Sequence, residues 1–183
     1  MLHEHSDEEL MVLVAQGHKL AFDQLVRRHL PRAHAVASRI CGSASDADDI
    51  AQEAFTRIWL RAATWRDDKA KFVSWFYRIL TNVAIDRARQ RKSSDSDIDW
   101  DAIPDNAPTA DVLVADRQTH RRVQAAVAAL PERQRTVLTL CYFEGFSNQQ
   151  AAEILGLHVK ALEGLLVRAR RTLKDKLKDL LER

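Results

Sequence analysis

Between Ser147 and Leu173 the chain reads SNQQAAEILGLHVKALEGLLVRARRTL. Ser147 followed by Gln150 is a capping-box pattern, and Ala151, Ala152 and Leu155 supply the apolar side of a short helix. Gly156 permits a tight turn. A longer helix follows from about His158, on which Leu162, Leu166, Ala169 and Leu173 recur at helical spacing. Two helices joined by a short glycine-containing turn match a helix-turn-helix, whose second helix can enter a major groove. An ordinary helical hairpin is the alternative. Gln149 and Gln150 carry amides that can contact phosphates, although Gln150 is equally suited to the cap. His158 and Lys160 stand near the entering end of the longer helix, where the lysine neutralises backbone charge and the histidine donates in either charge state. Arg168, Arg170 and Arg171 form a cationic cluster that reads otherwise as a solvated helix surface. Glu163 repels phosphate, and Gly164, Leu165 and Val167 offer little polar readout, so this helix alone defines no base sequence.

A second group of functional residue types lies upstream. In the periodic stretch after Lys71, the residues Phe72, Phe76, Ile79 and Val83 share one face and should pack inward. Trp75, Arg78, Asn82, Asp86 and Arg89 form a second strip along the same helix. An aromatic among polar and cationic groups makes that strip the better binding surface.

Both groups need elements to hold them. Ser6 with Glu9 predicts the start of a first helix, and Gly17 its stop. A second helix begins near Leu20, with Phe22, Leu25, Val26 and His29 at helical spacing; Pro31 either kinks it or opens another. Gly42 and Ser43 end that region. From Ser45 or Asp46 a third helix carries Ile50, Ala54, Ile58 and Ala62 as its stripe, widened by Phe55 and Trp59. From Ser93 to about Asp116 the periodicity gives way to Ser, Asp, Asn, Pro104 and Pro108, which reads as a flexible linker, with Ile98, Trp100 and Ile103 as isolated apolar residues. Val123, Val127 and Leu130 then suggest a helix, and Pro131 opens the next. The expected fold is all-α: two small helical domains, residues 1–92 and 119–183, joined by an acidic flexible linker over 93–118, with the helix-turn-helix in the C-terminal one.

Composition agrees. The 183 residues are 46% hydrophobic, enough for a packed core, and only five glycines and four prolines interrupt them. The formal net charge of +2 says less than its distribution. Basic residues around Arg87, Arg89, Arg91 and Lys92 precede a run of linker aspartates, and arginines and lysines return after it. No signal-like start and no apolar run long enough to span a membrane appear, so a cytoplasmic protein without membrane insertion is expected. Cys41 and Cys141 stand apart and read as buried small hydrophobes. The histidines are dispersed, with His3 and His5 at most a weak metal-binding fragment; no cofactor, metal centre or catalytic set is expected, hence no enzyme.

With both halves in view, the sequence resembles the extracytoplasmic-function (ECF) group of bacterial RNA polymerase sigma factors. The resemblance rests on three ordered motifs: DADDIAQEAFTRIW from Asp46 to Trp59, KFVSWFYRILTNVAIDRARQRK from Lys71 to Lys92, and LPERQRTVLTLCYFEGFSNQQAAEILGL continuing through VRARRTL. It implies an alternative sigma factor that binds core RNA polymerase, directs it to promoter DNA and promotes opening. Asp49, Gln52, Glu53, Arg57 and Trp59 become the polymerase-contact candidates, with solvent exposure for the polar groups and core packing for Trp59 as the other reading. In the minus-ten module, Trp75 or Tyr77 would cover an unpaired base and Asn82 would bond to a base edge or the backbone. Arg66, Lys69, Lys71, Arg78, Arg87 and Arg89 would draw the strand along, while Asp86 orders a nearby arginine. In the minus-thirty-five module the DNA candidates are Gln149, Gln150, His158, Lys160, Arg168, Arg170 and Arg171, although Ala161, Glu163, Gly164 and Leu165 depart from the polar run expected there. The resemblance also implies an anti-sigma factor as a partner, of a kind that can be membrane-associated. A helix-turn-helix regulator that never joins polymerase is the competing reading; it would leave the aromatic helix before the linker without a role.

Overall fold

A computed structural model describes residues 5–66, 71–94 and 114–181 of the chain. Helices α1 (Asp7–Ala15), α2 (Lys19–Cys41), α3 (Ser45–Arg61) and α4 (Phe72–Ser94) make the N-terminal half. The Ser6 hydroxyl accepts from the Glu9 N–H at 3.2 Å and the Glu9 carboxylate accepts from the Ser6 N–H at 2.7 Å, which closes the capping box at the start of α1. Helix α2 passes through Pro31, whose ring lies on the exposed side. Its buried face of Leu25, Ala33, Val36, Ala37 and Ile40 holds the helix together across the missing hydrogen bond. It stops at Gly42, where φ is 74° and the N–H donates to the Ser38 carbonyl. Only glycine adopts that backbone without strain.

The stripes read from the sequence in α3 and α4 bury as expected. Ala47, Ala51 and Ala54 are fully buried and let α3 lie close to its neighbours, while Ile50, Ile58, Phe72 and Phe76 fill the space between α2, α3 and α4. Each such large side chain contributes roughly 1.5–3 kcal/mol by burial. Helix α1 is tied across the bundle: Asp7 accepts from Arg28 at 3.0 Å and contacts His29 Nε2 at 2.8 Å. Glu8 accepts from the Phe72 N–H, giving the first turn of α4 a partner from another helix.

The C-terminal half contains α5 (Val114–Ala128), α6 (Glu132–Leu138), which widens into a π turn over Thr139–Phe143, then α7 (Asn148–Leu155), α8 (Val159–Lys176) and the short α9 (Lys178–Leu181). The Ser147–Gln150 capping box forms, and Gly156 with φ 63° turns α7 into α8. Helix α5 begins inside the segment expected to be linker, because the residues from Val114 onward are mostly helix-compatible Ala, Arg and Gln. Ile98, Trp100 and Ile103, the middle of that linker, and His3 and Lys69 lie outside the described residues.

The two halves do not stand apart. Val137, Leu140, Ala151, Ala152, Ile154, Leu162 and Leu166 belong to the same apolar cluster as the cores of α1–α4. Helix α7 packs on α4, and α6 on α2 and α4. A smaller cluster of Val127, Leu130, Leu138 and Ala169 joins α5 to α8.

Candidate nucleic-acid interface

Helix α3 presents its polar residues on two sides. Asp49 and Gln52 are exposed, and Gln52 lies with Trp59 on a shallow, mostly apolar groove of about 620 Å³ that Phe22, Val26, Leu30 and Phe55 also line. Trp59 is half-buried, its ring edge-on to Phe22 at 5.1 Å between centroids. Glu53 and Arg57 point elsewhere and pair with each other at 2.5 Å. The sequence reading missed Phe22, Val26 and Leu30 as groove residues. It read Phe22 and Val26 only as residues at helical spacing, and an apolar side chain at that spacing looks the same whether it lines a core or a groove.

The strip on α4 is where the structure departs most from expectation. It borders the C-terminal half, although Arg78, Asn82, Asp86 and Arg89 keep exposed surface. Asn82, Asp86 and Arg89, together with Arg57, line a cavity of about 350 Å³ whose far wall is Glu132, Arg133, Leu155, Leu157 and Leu165. Arg89 forms a fork on Glu132, with Nε and Nη2 both donating to one carboxylate oxygen at 3.1 and 2.9 Å. That bond raises the Arg89 pKa, with Asp86 adding a smaller push in the same direction. The Arg78 guanidinium lies beside Gly156, the turn of the helix-turn-helix. Trp75 is half-buried against the core. Arg87 is partly buried, whereas Arg66 and Lys71 are exposed near the other end of the helix.

Tyr77, expected as an aromatic cover for a base, is buried between the halves. Its ring stands edge-on to Phe146 at 4.8 Å and its hydroxyl donates to Glu144 at 2.6 Å. Burial, followed by the bond to Glu144, pushes its pKa well above the ordinary tyrosine value. Glu144 is itself covered, with 4% of its side chain exposed, and meets Arg32 at 3.2 Å and Arg39 at 3.8 Å. Arg39 also lies over the Phe143 ring at 4.5 Å. Arg135, 5% exposed, donates from Nε to the Ile40 carbonyl at 2.9 Å and from Nη1 to the Ala128 carbonyl. Its burial lowers its pKa. Neither Glu144 nor Arg135 stood out in the sequence, since each is an ordinary charged residue that meets partners of the N-terminal half far away along the chain.

The third surface is open. Gln149, His158, Lys160, Arg168, Arg170 and Arg171 are all exposed. Gln150 is committed to the cap at Ser147, with its side-chain oxygen accepting from the Ser147 N–H at 3.0 Å. Arg170 lies over the exposed ring of Tyr142, 5.4 Å from its centroid. The outer side of α8 and the start of α7 thus combine cations with amide and imidazole donors, the chemistry that grips phosphates and reaches into a groove.

Comparison with known proteins identifies this arrangement. Residues 25–94 match the family profile Sigma-70 region 2 and residues 120–173 match Sigma-70, region 4. The chain is 35% identical over 173 residues to the ECF RNA polymerase sigma factor SigM of Mycobacterium tuberculosis, covering 92% of this chain and 83% of that protein. It is 32% identical to the RNA polymerase sigma-H factor of Pseudomonas aeruginosa, covering 99% and 98%. Among solved structures it is similar to CnrH in complex with the cytosolic domain of CnrY, with a TM-score of 0.70, 32% identity, and coverage of 94% and 97%. With α4 lying in the region 2 match and the α7–α8 pair in the region 4 match, the chain belongs to the extracytoplasmic-function family of RNA polymerase sigma factors.

Proposed function

We propose that this alternative sigma factor, which binds core RNA polymerase and directs it to promoters, divides the work among its three surfaces. The α3 face with Asp49, Gln52, Glu53, Arg57 and Trp59 docks polymerase. The α4 strip captures an unpaired strand of the minus-ten element, with Trp75 stacking on a base and Asn82 bonding to a base edge or the backbone. Arg66, Lys69, Lys71, Arg78, Arg87 and Arg89 hold the backbone of that strand. Tyr77 takes part only when the halves separate. Helix α8 and the start of α7 read the minus-thirty-five element through Gln149, His158, Lys160, Arg168, Arg170 and Arg171. Gln150 contributes by fixing the α7 terminus.

The observation that carries this reading is the pairing on one chain of an exposed, cationic helix-turn-helix with an aromatic and basic helix. Residues 1–92 and 119–183 are the two working modules. Tethering both to polymerase raises the effective concentration of the second module once the first has bound. Bond formation belongs to the polymerase; this chain contributes binding energy that offsets part of the cost of melting. An anti-sigma factor is a further partner, supported by the similarity to CnrH, which was solved with the cytosolic domain of another protein.

Reconstituted transcription with core polymerase and a promoter panel tests the assignment. Trp75→Ala and Asn82→Ala should impair promoter opening more than closed-complex formation. Equal loss at both stages would remove the strand-capture role.

A further inference from the structure

On the outer side of α8 one carboxylate and one glycine stand among cations, and no contact among the described residues accounts for either. We propose that Glu163 is a base-reading residue that accepts from the exocyclic amine of a cytosine in the major groove, and that Gly164 lets the helix come close enough for it to do so. The inference rests on the reading of α8 as the minus-thirty-five surface, and it names a base which that surface requires.

Periodicity fixes which residues of α8 point outward. Leu162, Leu166 and Ala169 are buried along one side of the helix. Lys160, Gly164, Val167 and Arg171 repeat with the same helical spacing two residues out of step, so they run along the opposite side. Val167 is 62% exposed, and Glu163 is exposed at the border of this row, between Lys160 and Val167. Gly164 therefore sits at the centre of the outward face. A glycine inside a helix weakens it relative to alanine, because its backbone loses more freedom on folding. The backbone there is helical, so no left-handed turn calls for glycine. Close packing does not call for it either: among the described residues a Cβ at Gly164 would meet only the Arg168 guanidinium, at 3.8 and 3.9 Å. That is ordinary contact with the far end of a flexible side chain. What the missing side chain provides is a low point on the surface, which the floor of a groove can approach.

Roles within the helix do not explain Glu163. Its neighbours four residues away are Val159 and Val167, so no ion pair at that spacing is open to it. Lys160 stands three residues before it, yet among the described residues the Glu163 side chain has neither an ion pair nor a hydrogen bond. It also lies past the first turn of α8, where the helix dipole favours an acid. Beside Lys160, Arg168 and Arg171 its charge works against phosphate binding, a loss that a direct base contact recovers. An ionised carboxylate only accepts. Cytosine offers its N4 amine with no acceptor beside it on the same base, whereas adenine sets N7 next to its N6 amine and repels the charge. Guanine and thymine present acceptors. Glutamate is also shorter than arginine, so it reaches a base edge only when the backbone lies near the groove floor. Gly164 meets that condition.

Selection by the holoenzyme, assembled from core polymerase and the full chain, tests this. A library of duplex promoters is randomised across the upstream element, and the fragments that the holoenzyme retains are sequenced. The wild type should favour cytosine at one position on the order of tenfold over the other bases, within the range for one mismatched pair. Glu163→Gln should move the preference at that position from cytosine to adenine, because an amide pairs with adenine N6 and N7, and leave the other positions as they were. Asp175→Asn removes the same charge from the exposed far end of α8 and should leave every preference unchanged. Gly164→Ala should weaken retention severalfold and flatten the same position, while the melting temperature of the free chain stays level or rises. The proposal is overturned if Glu163→Gln selects the wild-type element, or if it changes only overall affinity. It is overturned equally if Gly164→Ala keeps the cytosine preference, or lowers the melting temperature and so assigns the glycine to packing. Failure of the underlying reading looks different. A wild type that enriches no upstream position overturns the minus-thirty-five assignment and the reader with it, whereas an element that survives Glu163→Gln overturns the reader alone.

Discussion

Arg135 offers the sharpest energetic test of how the halves are joined. Ile40 and Ala128 lie in the last turns of α2 and α5, where helix carbonyls have no donor of their own. One guanidinium supplies both, and it brings positive charge to two helix C-termini. Replacing it as Arg135→Met keeps most of the stem and leaves both carbonyls unpaired. A buried acceptor left without a partner costs roughly 1–3 kcal/mol, so the gross loss is about 2–6 kcal/mol. Two effects offset it: methionine removes the cost of burying a charge, the same cost that lowers the Arg135 pKa, and water can reach Ile40 if the seam loosens. The net expectation is a loss of about 2–3 kcal/mol. With a urea dependence of about 2 kcal/mol per molar, the unfolding midpoint followed by circular dichroism should fall by about 1 M. Arg135→Lys keeps the charge without the planar fork and should fall between the two. A midpoint for Arg135→Met within about 0.3 M of wild type would refute the double-cap account.

Three further outcomes follow from other parts of the structure. Tyr142→Phe leaves Tyr77 as the one remaining tyrosine, and its phenolate absorbance should appear only well above the ordinary tyrosine range. Because the folded pKa is raised, the associated stability is complete below the unfolded value of about 10 and is lost as pH rises through the folded one; titration in the ordinary range would sink the buried Tyr77–Glu144 contact. Ser147→Ala removes the cap of α7 and should cost about 1 kcal/mol, read as a lower melting temperature; an unchanged melt would mean the cap adds nothing. Lys160→Gln and Arg171→Gln should each lower the salt dependence of holoenzyme binding to promoter duplex by about one counterion. An unchanged slope would remove that residue from the phosphate contacts.

The helices and their inner faces were legible in the sequence because both are local properties. Ser6 with Glu9, Ser147 with Gln150, Gly42 and Gly156 mark helix ends through bonds and dihedrals within a few residues. The Ile50, Ala54, Ile58 and Ala62 face repeats with the period of the helix itself. The same logic made the exposed side of α8 readable, since its core positions leave the arginines only the outer face. Family membership followed from the order of motifs, another property of the linear chain. Pro31 marks a limit of local reading: its cost is local, but the burial that outweighs it comes from α3 and α4.

What only the tertiary structure decided is what the α4 strip faces. Periodicity puts Trp75, Arg78, Asn82 and Arg89 on one side of a helix, yet it cannot say whether that side meets DNA, solvent or the rest of the chain. Glu144 carries no local mark of its role, because Tyr77, Arg32 and Arg39 lie 67 or more residues away along the chain and meet it only through packing. The sequence alone determined the helices, the helix-turn-helix and the family to which they belong. The folded molecule alone decided that Glu132 meets Arg89 and that Glu144 meets Tyr77, since long-range charge complementarity leaves no periodic trace.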